Sequence, residues 1–326
     1  MVNYEKMIAI LLCMMFVLTV SCKDDNQDKG NSMSMTTDTS VTETISSSPS
    51  DTSQIASSES RPSQVSSSEN QSSQTSSQTV SSEPKHEYTD SEWRLHPEDF
   101  KLIAFTFDDG PGFTDANDNA TTKIVDVLAQ YYGKGTFFFT GGALKARGTV
   151  LPQYVLDHGC EVASHSYNHK NMSSLTTFDE VQAEITDMNV LLKEELNVTN
   201  KFFRAGGFTQ SSYMWSVLTE LNMPAIKCAV GFGDYSGGSA TKEQILQSLT
   251  GTDLCDGAII GMHSTNPNCV TADGLSIALP ILYGKGYRFC TLSELLELRG
   301  ISYNDLPKGK YIDRISKQPD GTVKYN

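Results

Sequence analysis

Positive charge is scarce in this chain: 25 Lys and Arg stand against 39 Asp and Glu, a formal net charge of −14 over 326 residues. Nucleic acid and anionic membrane surfaces both need a basic face, so neither is expected as a binding partner. The apolar stretch 7–20 is too short to cross a bilayer comfortably. No repeat recurs at a solenoid or propeller period, which removes those architectures. None of the cysteines has metal-site spacing, and Cys160, Cys228, Cys255, Cys269 and Cys290 are an odd set whose pairing cannot be deduced. Residues 23–86 contain no Phe, Tyr or Trp, and such a stretch cannot bury enough apolar surface to offset its ordering entropy.

These gaps divide the chain. Residues 1–22 read as a signal peptide, with Lys6 ahead of the apolar core. The segment ends in Leu18-Thr19-Val20-Ser21-Cys22 and resembles a bacterial lipoprotein signal. That implies a lipid anchor at Cys22 and a membrane protein facing the cell wall; cleavage near Ser21, with release of the protein, is the alternative. Residues 23–86, dominated by Ser, Thr and Gln, read as a disordered tether. As a coil it would span about 45 Å. Residues 87–300 have globular composition and suffice for one domain with a large core. Residues 301–326 form a polar C-terminal tail, and composition does not decide whether it packs on that domain. Cys255 and Cys269 flank a loop and would suit a disulfide in an exported protein.

Within 87–300 short apolar runs alternate with longer helical patterns. Strands are expected at 102–107, 135–140, 160–164, 201–204, 225–230, 257–262 and 287–291. Helices are expected near 121–132, 149–157, 176–196, 211–222, 241–250, 275–284 and 293–298. Thr177 and Glu180 form a capping box for the third helix, whose apolar face runs through Phe178, Val181, Ile185, Met188, Leu192 and Leu196. The alternation gives an α/β fold with a parallel sheet, and seven strands can curl into a barrel. In a parallel barrel the strand C-termini open on one face, where active sites are built. Asp108 and Asp109 follow the first strand, and His165 and His169 follow the third. Arg204 ends the fourth, Asp234 lies past the fifth, and His263 ends the sixth. Ionisable groups from five stretches thus reach one rim.

The run Leu102-Ile103-Ala104-Phe105-Thr106-Phe107 reads as a strand buried on both faces. Adjacent carboxylates at its end, Asp108 and Asp109, need a partner to offset their desolvation. A metal ion is the expected partner, bound by one Asp while the other serves as a base. His165-Ser166-Tyr167-Asn168-His169 brings two imidazoles. With one Asp they make a three-ligand set that leaves a coordination position open, as catalytic zinc sites do. Zinc is expected, and cobalt, nickel or manganese suits the same ligands.

At these residues the sequence resembles the polysaccharide deacetylases that share the NodB homology domain, carbohydrate esterase family 4. Thr106-Phe107-Asp108-Asp109-Gly110-Pro111 is similar to the first family motif and His165 to His169 to the second, and the resemblance runs over residues 100–298. It implies a single catalytic domain folded as a distorted (β/α)7 barrel. It implies Asp109, His165 and His169 as metal ligands, Asp108 as catalytic base, and His263 as general acid. Arg204 would pair with Asp108, and Asp234 would support His263. The implied reaction is metal-dependent hydrolysis of N-acetyl groups on an extracellular or cell-wall polysaccharide, such as peptidoglycan or a chitin-like chain. A monomer is expected.

Three glycines depart from the family pattern. Gly206 and Gly207 stand where a proline and an aromatic usually follow the arginine, and Gly261 stands where a leucine lines the acetyl-methyl pocket. The first two are expected to loosen the site, and the third to enlarge the acyl pocket. They keep two alternatives open: a glycan-binding lipoprotein impaired in catalysis, and a hydrolase of another non-peptide C–N amide bond.

Overall fold

Residues Lys101–Gly110 form β1, the strand around which the fold is organised. The computed structural model describes residues 91–112, 119–231, 233–234, 239–251, 254–265 and 270–325. The signal peptide, the tether, Cys22 and Cys269 lie outside the described residues. Cys160, Cys228, Cys255 and Cys290 are free thiols. No helix among the described residues is long and apolar enough to cross a membrane.

After β1 the chain runs through α1 (Ala120–Ala129), β2 (Thr136–Phe139), α2 (Gly141–Arg147), α3 (Val150–Asp157), β3 (Glu161–Ser164), α4 (Phe178–Leu196) and α5 (Ser212–Glu220). It continues with β4 (Ala225–Ile226), β5 (Val230–Gly231), α6 (Lys242–Thr250), β6 (Ile259–His263), α7 (Val270–Gly284), β7 (Tyr287–Cys290) and α8 (Leu292–Leu298). Three short strands follow: β8 (Tyr311–Ile312), β9 (Ile315–Lys317) and β10 (Val323–Tyr325).

β1 pairs in parallel with β2, β6 and β7, β2 pairs with β3, and β5 pairs with β6. Phe203 alone bridges Ser164 of β3 to Ala225 of β4. The Ala229 N–H donates to the Ile259 carbonyl. The ring thus closes through residues 225–231, giving the distorted (β/α)7 barrel.

Two expected strands come out shorter, for one reason. The stretch 201–204 contributes only the Phe203 bridge, and 225–230 breaks into β4 and β5. Between them the Ile226 and Lys227 carbonyls turn to accept Arg204 Nε at 3.2 Å and Nη2 at 3.1 Å. Backbone oxygens that solvate a buried guanidinium are not available for a regular ladder.

The side chains of β1 alternate between two cores, as strand geometry requires. Ile103, Phe105 and Phe107 pack under the helices with Ile124, Leu128 and Leu279. Leu102 and Ala104 face the barrel interior with Phe138, Ala163, Phe202, Ile226 and Ile259. The interior row continues upward as Thr106 and Asp108, so apolar filling gives way to polar groups toward the C-terminal rim.

Helix α4 starts at its expected cap. The Thr177 hydroxyl accepts the Glu180 N–H at 3.3 Å, and the Glu180 carboxylate accepts the Thr177 N–H at 3.1 Å. α2 is an addition to the expected set, capped by the Thr140 hydroxyl. Residues 301–325 pack on the barrel: β8 extends β4 in parallel, and Ile312 and Ile315 are fully buried.

Candidate active site

In a regular strand Asp108 and Asp109 would face opposite sides. The backbone of Asp109 instead takes φ 69°, which breaks the alternation and brings both carboxylates to the barrel mouth. Asp109 Oδ1 lies 3.4 Å from Nε2 of His165 and 3.4 Å from Nε2 of His169. One donor atom from each of these residues falls within 4.8 Å of the others, a spacing that a single cation could bridge.

The second histidine arrives through a tight loop rather than a helix. Ser166 and His169 both take positive φ, at 64° and 56°. The buried Glu184 of α4 braces the loop, accepting the Asn168 N–H at 2.7 Å and its side-chain amide at 2.8 Å. His165 Nδ1 lies 2.9 Å from the Arg204 carbonyl. A carbonyl only accepts, so Nδ1 carries a proton and Nε2 is the nitrogen turned toward the cluster.

Arg204 is fully buried, which requires partners on all sides. Besides the Ile226 and Lys227 carbonyls, Nη1 donates to Asp108 Oδ1 at 2.7 Å and to the Thr106 hydroxyl at 2.9 Å. Its guanidinium carbon stands 4.2 Å from the Phe138 ring centroid. With Oδ1 engaged, Asp108 turns Oδ2 toward the cluster, 3.8 Å from His165 Nε2.

Across the mouth, His263 Nε2 stands 3.9 Å from Asp109 Oδ2. Its Nδ1 is 3.1 Å from Asp234 Oδ1. Asp234 Oδ2 accepts the His263 backbone N–H at 2.6 Å and the Thr271 hydroxyl at 2.7 Å. All seven residues expected at the rim are thus brought together.

The electrostatics follow from these contacts. Burial pushes the Asp109 carboxyl up, but the His165 hydrogen bond and the His165, His263 and His169 charges outweigh it and lower its pKa to about 2. Burial, reinforced by His165, lowers the pKa of His169. For His263 burial acts downward, yet the hydrogen bond and charge of Asp234, with Asp108 and Asp109, raise its pKa overall.

The cavity above the cluster holds about 340 Å³ and is lined by Asp108 and the three cluster residues with Ala205, Gly207, Phe208 and His263. The expectation for Gly261 is corrected: it does not border this cavity. It pairs with Thr106 and Gly231 one layer below His263 and lines a separate crevice with Ile245 and Leu249. Gly206 is not a loosening either. A Cβ there would meet the His169 ring at 2.8 Å, so the glycine lets the imidazole lie against the backbone. The aromatic wall is Phe208, one residue past the position where the pattern placed it. Sequence reasoning missed Phe208, Thr271 and Glu184. Phe208 could have been found as the first aromatic after Arg204, but no local signal marks the other two.

The polysaccharide deacetylase profile matches residues 96–226, from just ahead of β1 through β4. Over that stretch the chain matches the polysaccharide deacetylase family. It is 30% identical over 204 residues to a bifunctional xylanase/deacetylase of Pseudobutyrivibrio xylanivorans, covering 63% of this chain and 32% of that protein. It is 29% identical to a peptidoglycan-N-acetylglucosamine deacetylase of Bacillus cereus, covering 60% of this chain and 68% of the relative. Among solved structures, a family 4 acetyl xylan esterase from Clostridium thermocellum in complex with a cobalt ion superposes with a TM-score of 0.57 at 26% identity. That match covers 66% of this chain and 98% of the esterase. The chain therefore spans about a third of the first of these relatives and about two thirds of the second.

Proposed function

We propose that this protein hydrolyses N-acetyl groups on an extracellular or cell-wall polysaccharide, in a reaction that depends on a divalent metal. The observation that carries the reading is the pairing of a three-ligand cluster with two proton-transfer groups on opposite sides of it. Asp109, His165 and His169 would hold the ion, and their carboxylate and imidazole donors suit zinc, with cobalt, nickel or manganese also compatible. When bound, such an ion polarises an acyl carbonyl and makes a water more acidic.

The remaining work falls to this chain's own side chains. Asp108, with Oδ1 tied to Arg204, takes the water proton on Oδ2. His263, with Nδ1 held by Asp234, donates from Nε2 to the departing amine. Against burial, the hydrogen bond and charge of Asp234 raise the pKa of His263 and so favour the protonated imidazole. Phe208 offers an aromatic face to a sugar ring. Export, with a lipid anchor at Cys22 and the 23–86 tether giving reach, would suit an immobile polymer; peptidoglycan and chitin-like chains are the proposed substrates.

The test is acetate release from N-acetylglucosamine oligomers, peptidoglycan and acetylated xylan, with and without chelator, by the parent and Asp108→Asn. Release that stops on chelation and is restored by zinc or cobalt is expected. The xylan arm separates N- from O-deacetylation, a contrast prompted by the xylan-acting relatives. Binding to glycan without metal-dependent release from any of them would sink the reading.

A further inference from the structure

Phe208 forms one wall of the cavity, and the group that backs it comes from about a hundred residues further along the chain. Tyr311 of β8 meets Phe208 edge-on with ring centroids 6.1 Å apart, and Trp215 of α5 edge-on at 5.2 Å. The Tyr311 hydroxyl donates to the Thr209 carbonyl at 2.8 Å. Thr209 is itself a tie between loops. Its hydroxyl donates to the Gly206 carbonyl at 2.9 Å and accepts the N–H of Met172, just past His169, at 2.9 Å.

The backbone between them is held in unfavourable geometry. Gly207 takes φ 59° and Phe208 takes φ 54°, a region that a non-glycine residue keeps only when its surroundings impose it. On the inner side of this turn, Gly206 lies against the His169 ring. β8 also supports the wall below, through the Lys227 N–H donating to the Ile312 carbonyl at 2.7 Å, and Lys227 is one of the residues that holds Arg204.

We propose that Tyr311 is a positioning residue of the active site: acting through Thr209, it fixes the 205–209 turn against His169 and sets Phe208 as the surface on which the substrate's sugar ring rests. The segment carrying it lies beyond residue 226, where the family match ends, so the C-terminal strands are a working part of the site. The role of Phe208 toward sugar rests on the deacetylase reading above, whereas the control of the turn by Tyr311 does not.

The experiment compares full-length, zinc-loaded parent, Tyr311→Phe and Tyr311→Ala. kcat and KM are measured on N-acetylglucosamine oligomers, and amide hydrogen exchange is followed at Phe208 and Thr209, whose N–H groups bond within the turn to Ala205 and Gly206. Tyr311→Phe keeps the ring and removes the hydroxyl. It should raise KM about three- to tenfold with kcat within about twofold, and speed exchange at both amides. Tyr311→Ala should exceed it in both readouts. Variants that lose thermal stability but keep the parent KM and the parent exchange at these amides would overturn the proposal. Should the parent release no acetate, the deacetylase reading fails and exchange in Tyr311→Phe decides alone: faster exchange upholds the positioning role, unchanged exchange removes it.

Discussion

Two buried charge pairs flank the cluster, and they are built differently. Asp108–Arg204 belongs to the barrel wall: the guanidinium is fully buried and spreads its donors over two β4-side carbonyls, the Thr106 hydroxyl and the carboxylate. Asp234–His263 belongs to the rim and the helical layer. Asp234 is tied to its partner's own backbone N–H and to Thr271 of α7, while the imidazole stays partly open to the cavity. The first pair is therefore structural as much as chemical. The second is tunable, because changing it leaves the barrel wall intact.

Four substitutions put this contrast under strain. The largest effect is expected for Asp108→Asn, which keeps shape and removes the proposed proton acceptor; kcat should fall by about 10²–10⁴-fold, and thermal stability should fall with it because the buried Arg204 loses its counter-charge. Arg204→Met should act on the fold itself. It leaves the Asp108 carboxylate buried without its counter-charge, and denaturant unfolding should show a loss of about 3–5 kcal/mol. A loss under about 1 kcal/mol would remove the distinction between wall and rim.

Asp234→Asn should show its effect in pH dependence. The folded pKa of His263 is raised above the ordinary histidine value of 6.5 mainly because Asp234 outweighs burial. The acid form, and the stability of the paired imidazolium, are therefore complete below about 6.5 and are lost as pH rises through the higher folded value. Without the Asp234 charge the burial effect weighs more, so the basic limb of the kcat/KM profile should move to lower pH. A limb that stays in place would show that another group sets it. The smallest effect belongs to Thr271→Val, which removes one buried hydrogen bond to Asp234; a loss of about 1 kcal/mol and a slight shift of the same limb in the same direction are expected.

Much of this was legible in residue order alone. An apolar run ending in two acids marked β1 and the rim, and Thr177 with Glu180 marked the start of α4 within a residue or two. The set Asp108, Asp109, His165, His169, Arg204, Asp234 and His263 was also readable, because each member sits at the end of an apolar run and strand ends share a face in a parallel barrel. The local conformations were less accessible. Positive φ at Asp109 and His169 leaves no pattern in neighbouring residues, and two histidines four apart read equally well on a helix.

Local patterning reports burial and turns, because those depend on a few neighbours along the chain, and so it indicated the α/β fold class and the residues that gather at the rim. Which residue meets which across the chain depends on packing between distant segments. Phe203 bridges two strands by itself, Gly206 makes room for an imidazole, Gly261 misses the cavity, and Tyr311 reaches Thr209. Each of those outcomes exists only once the barrel has closed and brought backbone from separate strands within hydrogen-bonding distance.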